Sequence, residues 1–175
     1  MRIICLFLFV SFAGRVQAQA PPSKEEIVNA FFAKIDVKPL SGYYLIAGTD
    51  TCRFEKFDYD EWVKYHLKES VPLTTLNELA YKVHITRAPY YWQQDKLKKV
   101  MCINVGTADS LIAAHSGSQV FSISQPQFTD DGEYAVVDIN WKWDLIRGAG
   151  YTFLFRRAAG GWLDIGFKQN WGGEQ

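Results

Sequence analysis

Tyr134-Ala135-Val136-Val137-Asp138-Ile139-Asn140-Trp141-Lys142-Trp143 is the stretch that decides the fold. Ala135, Val137, Ile139, Trp141 and Trp143 alternate along one face, and Asp138, Asn140 and Lys142 hold the other, below Tyr134 and Val136. Only extended backbone places every second side chain on the same side. Downstream, Tyr151, Phe153 and Phe155 alternate with Thr152, Leu154 and Arg156. Then Leu163, Ile165 and Phe167 alternate with Trp162, Asp164 and Gly166. Gly148-Ala149-Gly150 and Ala158 to Gly161 read as the turns between these strands. Upstream, Val120 to Ser124 is a further strand, Pro126 marks its end or a bulge, and Asp130-Asp131-Gly132 is a hairpin turn. The whole is an antiparallel meander of three to four strands with short Gly-bearing turns.

The period differs before residue 119. Ser23-Lys24-Glu25-Glu26 has the form of a capping box. Behind it, Ile27, Phe31 and Ile35 fall four apart, with Val28 and Phe32 beside them, as in an amphipathic helix. Tyr43 to Ala47, between two glycines, reads as a short strand. Tyr59, Trp62, Val63, His66 and Leu67 take helical spacing, stopped by Ser70-Val71-Pro72. Thr75-Leu76-Asn77-Glu78 is a second box, opening a helix to about Val83. Asp109 to His115 reads as a short helical turn. Helices gathered ahead of a meander predict an α+β fold, with N-terminal helices packed on a C-terminal antiparallel sheet.

The chain has 175 residues, 48% hydrophobic and 15% aromatic, which sets it apart from disordered and fibrous chains and gives room for one domain. Nineteen basic residues balance nineteen acidic ones, so no net field draws it to nucleic acid. Arg2 followed by the apolar run Ile3 to Phe12, then Val16-Gln17-Ala18 and Ala18-Gln19-Ala20, reads as a signal peptide over residues 1–20. Residues 21–175 then form a single exported domain, periplasmic or secreted, with no transmembrane segment after cleavage. Removal of Arg2 and Arg15 leaves a formal charge of −2. It also leaves two cysteines, Cys52 and Cys102. In an exported chain they are expected to form a disulfide, worth about 4 kcal/mol by loop-closure entropy; two separate thiols are the competing reading.

The tail from Phe121 to Trp171 carries a resemblance. Phe121-Ser122-x-Ser124-x-Pro126-x-Phe128, Tyr134-Ala135-Val136-Val137, Gly148-Ala149-Gly150-Tyr151 and Gly160-Gly161-Trp162 are similar to the C-terminal half of uncharacterised exported bacterial proteins. In those, a late meander ends on Gly-x-Trp and a final Trp. The resemblance covers about 50 residues and brings no catalytic residue. It implies a cystatin-like or NTF2-like arrangement, an N-terminal helix cupped by a bent sheet.

The motifs of common chemistries are missing from the sequence. No P-loop, HExxH, EF-hand loop, CxxC or GxSxG occurs. Gly148-x-Gly150 has Phe153 where a nucleotide motif needs its third glycine. His66, His84 and His115 have no ligand spacing, so no metal, cofactor or catalytic set is predicted. Asp138, Asn140, Lys142, Thr152 and Arg156 share one face of adjacent strands. They either line a ligand pocket, with Asp138 as a general base, or form a solvated face. Tyr90, Tyr91 and Trp92, after Pro89, either offer a recognition loop or pack back on the core. Lys96, Lys98 and Lys99 read as a solvated face. Two functions fit: an exported non-catalytic module that recognises a protein partner in the cell envelope, of inhibitor or immunity type, or an NTF2-like pocket protein that binds or acts on a small ligand.

Overall fold

The computed structural model describes residues 22–35, 42–49, 67–86, 88–115 and 117–174. The expected signal peptide, Cys52 and nearly all of the expected helix from Tyr59 to Leu67 lie outside the described residues. The elements in chain order are α1 (Lys24–Lys34), β1 (Tyr43–Ile46), α2 (Leu73–Ile85), β2 (Met101–Ile103), α3 (Ala108–Ala114), β3 (Gln119–Ile123), β4 (Gln127–Phe128), β5 (Tyr134–Lys142), β6 (Arg147–Ala158) and β7 (Gly161–Glu174). The α+β class holds. Among the described residues, seven strands form one sheet in the order β2-β1-β3-β5-β6-β7, with β4 also pairing β5.

The sheet is mixed rather than wholly a meander. From β3 onward every pairing is antiparallel, but β1 runs parallel to both β2 and β3. β5 is long enough to pair with two partners in succession. Phe121 sits opposite Trp141 and Ile123 opposite Ile139 in β3; past the break at Ser124 to Pro126, Gln127 sits opposite Val136 in β4. At the break, the Asp138 amide donates to Ser124 Oγ at 2.9 Å, and the Ser124 amide donates to the Asp138 carbonyl at 2.9 Å. The ladder is therefore closed where Pro126 approaches.

Helices cover both faces. On one, α1 buries Ile27, Val28, Phe31 and Phe32 against Leu45, Phe121, Ile123, Ala135, Val137, Ile139 and Phe155. Each such side chain contributes about 1.5–3 kcal/mol through burial. On the other, α2 places Leu76, Leu79 and Val83 on Val136, Leu154 and Ile165. Further along that second face, α3 packs Ala108 and Ile112 on Val120. Residues 67–69 guard the rim of β7: Leu67 bridges Gly166, the Lys68 amide donates to the Ile165 carbonyl, and Lys68 pairs with Asp164 at 2.6 Å.

Several local expectations are corrected. Ser23 precedes α1 but caps no backbone amide; its Oγ donates to Glu25 Oε2 at 2.8 Å. Glu26 accepts from the Trp162 indole at 3.3 Å. Thr75 and Glu78 lie inside α2, which begins one turn earlier behind Pro72, a residue suited to a helix start by its fixed φ. Gly148 and Gly150 belong to β6, and the turn falls at residues 143–146 instead. Trp143 is therefore past the end of β5 and exposed. In β7, register shifts opposite Gly150/Tyr151 and Leu154/Phe155 break the strict alternation. Trp162 and Ile165 are buried, whereas Leu163 and Phe167 are exposed. A bulge adds one residue to one strand and so exchanges its faces.

Candidate functional site

The second face of the sheet carries the polar residues singled out above, and the structure divides them into three groups. Arg156 stands opposite Tyr134 at the far end, where it forms a two-point ion pair with Glu69: Nε to Oε1 at 2.5 Å and Nη2 to Oε2 at 3.1 Å. Asp138 and Thr152 are direct cross-strand partners and both are buried, Asp138 to 4% exposure. Thr152 Oγ1 donates to Asp138 Oδ1 at 2.5 Å and accepts from Asn170 Nδ2 at 3.0 Å. That chain places Asp138 in the ladder between β5 and β6, and Asp138 is not among the residues lining the cavity under α3.

Asn140 and Lys142 form the third group. They line a cavity of about 200 Å3 between the sheet and α3, with Ile46, Val105, Ala108, Asp109, Val120, Ser122, Trp141 and Trp171. Cross-strand register sets this up. Ser122 faces Asn140, and Val120 faces Lys142, on consecutive levels of the same face. The roof is short: α3 and the 3-10 turn before it contribute the apolar Ala108 and Val105 and one acid, Asp109.

Trp171 forms one wall, and two glycines hold it there. Gly150 of β6 pairs with Trp171 of β7, and a Cβ on Gly150 would stand 2.1 Å from the indole Nε1 and 2.2 Å from Asn140 Oδ1. A Cβ on Gly148 would stand 2.9 Å from the same ring. The indole lies over this bare stretch of β6 and its Nε1 donates to Asn140 Oδ1 at 2.9 Å. An indole nitrogen can only donate, so it fixes the Asn140 amide with its oxygen towards Trp171 and leaves Nδ2 to donate elsewhere. Among the described residues, Asn140 Nδ2, Lys142 Nζ and Ser122 Oγ make no hydrogen bond or ion pair. Three donor-bearing residues, Ser122, Asn140 and Lys142, thus line a largely apolar cavity.

Tyr90, Tyr91 and Trp92 are split. Trp92 is buried in the main core, edge-on to Tyr90 with ring centroids 5.2 Å apart. Tyr90 Oη donates to Glu25 Oε1 at 2.5 Å, and Lys24 Nζ sits 4.2 Å above its ring. Only Tyr91 projects, at 70% exposure. Two of the three therefore pack back on the core.

The Glu25–Tyr90 contact shifts both groups. Burial alone would raise the Glu25 carboxyl, but hydrogen bonds from Tyr90, Ser23 and backbone amides outweigh it and hold the group below the usual carboxylate range. Burial first, then the bond to Glu25 and its charge, push the Tyr90 phenol up to about 12. A raised folded-state value stabilises below the unfolded value of about 10. That contribution is lost as pH climbs through about 12. The depressed Glu25 acts at the acid end: its contribution is present above the ordinary carboxylate value and lost as pH falls through its folded one. In an ultraviolet titration, one of the nine tyrosines should ionise only near pH 12, and Tyr90→Phe should remove that step. The variant should lose about 1.5–3 kcal/mol at neutral pH, the range for a hydrogen bond to a charged group.

Cys102 is a half-buried free thiol, pushed up by burial, and no disulfide is found among the described residues. The predicted partner, Cys52, lies outside them. Lys96, Lys98 and Lys99 are exposed. Among the described residues, no cluster of His, Cys, Asp or Glu could hold a metal ion, and no helix is long and apolar enough to cross a membrane.

Sequence reasoning missed Trp171, Ser122, Asp109 and the small roof residues. Trp171 had a signal: two glycines spaced by two on one strand leave a bare stripe that a large ring on the next strand can fill. Ser122 also had one, since it alternates with Phe121 and Ile123 and so shares the face of Val120. The α3 contribution had none, because it depends on how the helix lies over the sheet. Compared with known proteins, the chain matches no family model, and no curated protein or solved structure matches it at a significant level.

Proposed function

We propose that this is a pocket protein, binding a small amphipathic ligand in the cavity between α3 and the sheet. The observation that carries the reading is that Asn140, Lys142 and Ser122, each with a donor that makes no hydrogen bond or ion pair among the described residues, line the same largely apolar cavity. Donors without partners beside apolar walls suit a ligand with an apolar body and a carboxylate or similar acceptor group. Asn140 and Lys142 belong to the polar set that the sequence offered for a pocket. The proposed arrangement is NTF2-like: helices over a sheet with a ligand cavity between them. Export to the periplasm or exterior belongs to this proposal on the strength of residues 1–20. No general base is assigned, since Asp138 is engaged by Thr152 and does not line the cavity, so the reading is of binding rather than catalysis.

Recognition of an envelope protein of inhibitor or immunity type would fall to Tyr91, the one exposed member of the aromatic trio Tyr90, Tyr91 and Trp92. The turned-in positions of Tyr90 and Trp92 favour the cavity over the loop.

Calorimetric titration with benzoate and hexanoate tests the proposal. Wild type should bind at least one of the two. Lys142→Gln should weaken that binding by about tenfold, equivalent to about 1.4 kcal/mol. Ala108→Leu, which extends a side chain into the cavity, should abolish it while leaving the fold intact. Equal binding by all three proteins, or none by wild type, contradicts the proposal.

A further inference from the structure

A second cavity, of about 590 Å3, lies at the other end of the sheet and shares no lining residue with the one under α3. It opens where the start of α1, the last turn of α2, β4 with the turn after it, and Arg157 near the end of β6 come together. Its size falls in the range of small-molecule sites. Two buried polar side chains hold its shape. Gln127 Oε1 accepts from Thr86 Oγ1 at 2.9 Å, and Gln127 Nε2 donates to the Gln125 carbonyl at 3.0 Å. Thr129 Oγ1 donates to Asp131 Oδ1 at 2.5 Å and accepts from the Tyr134 amide at 3.0 Å. Gly132, at φ +70°, leaves space beside the turn, since a Cβ there would stand 3.4 Å from Pro22 Cδ and 3.9 Å from Arg157 Nη1.

Three cations and two acids line this cavity, and their partners separate them. Lys82 pairs with Asp130 at 2.5 Å and with Glu78 at 3.2 Å. Asp131 Oδ1 takes the Thr129 hydroxyl and, at 2.9 Å, the Glu133 amide. Lys24 and Arg157 have no ion pair among the described residues. Neutral groups hold Lys24: its Nζ stands 4.2 Å above the Tyr90 ring, and 2.6 Å from Gln125 Oε1 in the amide orientation that also lets Gln125 donate to the Ala88 carbonyl. Burial pulls the Lys24 ammonium below its ordinary range, against the opposing charge of Glu25. The half-buried Arg157 guanidinium makes no hydrogen bond among the described residues. Its planar fork of donors matches the paired oxygens of a carboxylate or phosphate.

We infer that this second cavity binds a small molecule with a doubly charged oxyanion on an apolar body, Arg157 and Lys24 serving as its cations. A phosphomonoester and a dicarboxylate share that chemistry. Pro22, Pro126 and Phe128 give the body apolar wall. The inference does not rest on the ligand proposed under α3, where Lys142 is the one lining cation.

Calorimetric titration of the purified protein with phenyl phosphate and with phthalate tests it. Wild type should bind at least one of the two, less tightly at high salt. Arg157→Gln should weaken that binding by at least about tenfold, and Lys24→Gln several-fold. Lys98→Gln removes the same charge from an exposed position outside both cavities and should change nothing. Tighter binding of phenyl phosphate assigns the ligand a phosphoryl group and tighter binding of phthalate a pair of carboxylates; either supports the site. Excess hexanoate, directed to the cavity under α3, should leave the affinity unchanged, so failure of one site is read apart from failure of the other. Chemical shifts of the wild-type Gly132 and Arg157 backbone amides should move saturably, a readout that needs no variant to fold. Four results overturn the inference: no binding of either probe, equal affinity in wild type and Arg157→Gln, displacement by hexanoate, or saturable shifts elsewhere that leave Gly132 and Arg157 fixed.

Discussion

Phe121→Ala is expected to lower the unfolding free energy by about 3–5 kcal/mol. Phe121 is 1% exposed and is the hub of the aromatic core. Its ring lies 4.9 Å from Phe32, 5.9 Å from Tyr43, and 6.0 Å from both Phe31 and Trp141, centroid to centroid. These residues come from α1, β1 and β5, so one truncation opens a void where three elements meet. Ordinary domains are stable by only roughly 5–15 kcal/mol, so the loss is a large share of the total. Thermal denaturation should show a fall in Tm of roughly 10 °C, at about 2–4 °C per kcal/mol for a chain of this size. A fall of a degree or two would mean that α1 does not pack on the sheet as described.

Gly150→Ala is expected to do more than its single methyl suggests. The added Cβ would lie 2.1 Å from Trp171 Nε1 and 2.2 Å from Asn140 Oδ1, well inside contact distance, so the indole has to leave its bed. Overpacking of this kind costs about 1–3 kcal/mol. The functional loss is the sharper readout. With Trp171 displaced, the cavity loses a wall and Asn140 loses the donor that orients its amide, so ligand affinity should fall at least about tenfold. Gly160→Ala is the control: nothing lies within 4 Å of its Cβ position, and neither stability nor affinity should change appreciably. Matching results for the two variants would remove the glycine bed from the account.

Legibility in the sequence followed the range of the forces involved. The core face of β5 was readable because Ala135, Val137 and Ile139 recur at every second position, with Asp138 and Asn140 on the other side, under local backbone geometry alone. The first helix was readable from Ile27, Val28, Phe31 and Phe32, although its N-terminal hydrogen bonds were not, since Glu26 is claimed by Trp162 from the other end of the chain. The parallel pairing of β1 with β3 could not be read, because Tyr43 to Ile46 carries no mark of its partner. Gly148 and Gly150 were misread as a turn. A glycine serves close approach as well as chain reversal, and the approaching group, Trp171, lies more than twenty residues away. The same long-range dependence explains the site. Asn140 and Lys142 were named from strand alternation, but their separation from Asp138, Thr152 and Arg156 comes from what α2, α3 and Glu69 bring to the second face.

The central claim is that a small acceptor-bearing ligand enters the cavity under α3, and its most direct test is a chemical-shift titration of the 15N-labelled protein with benzoate and hexanoate. The account predicts saturable shifts in the Trp171 indole N–H, the Asn140 side-chain amide and the backbone amides of Val120, Ser122 and Ala108, with Tyr91 unmoved. A spectrum in which those signals stay fixed, or in which saturable changes gather on the loop around Tyr91, would contradict it.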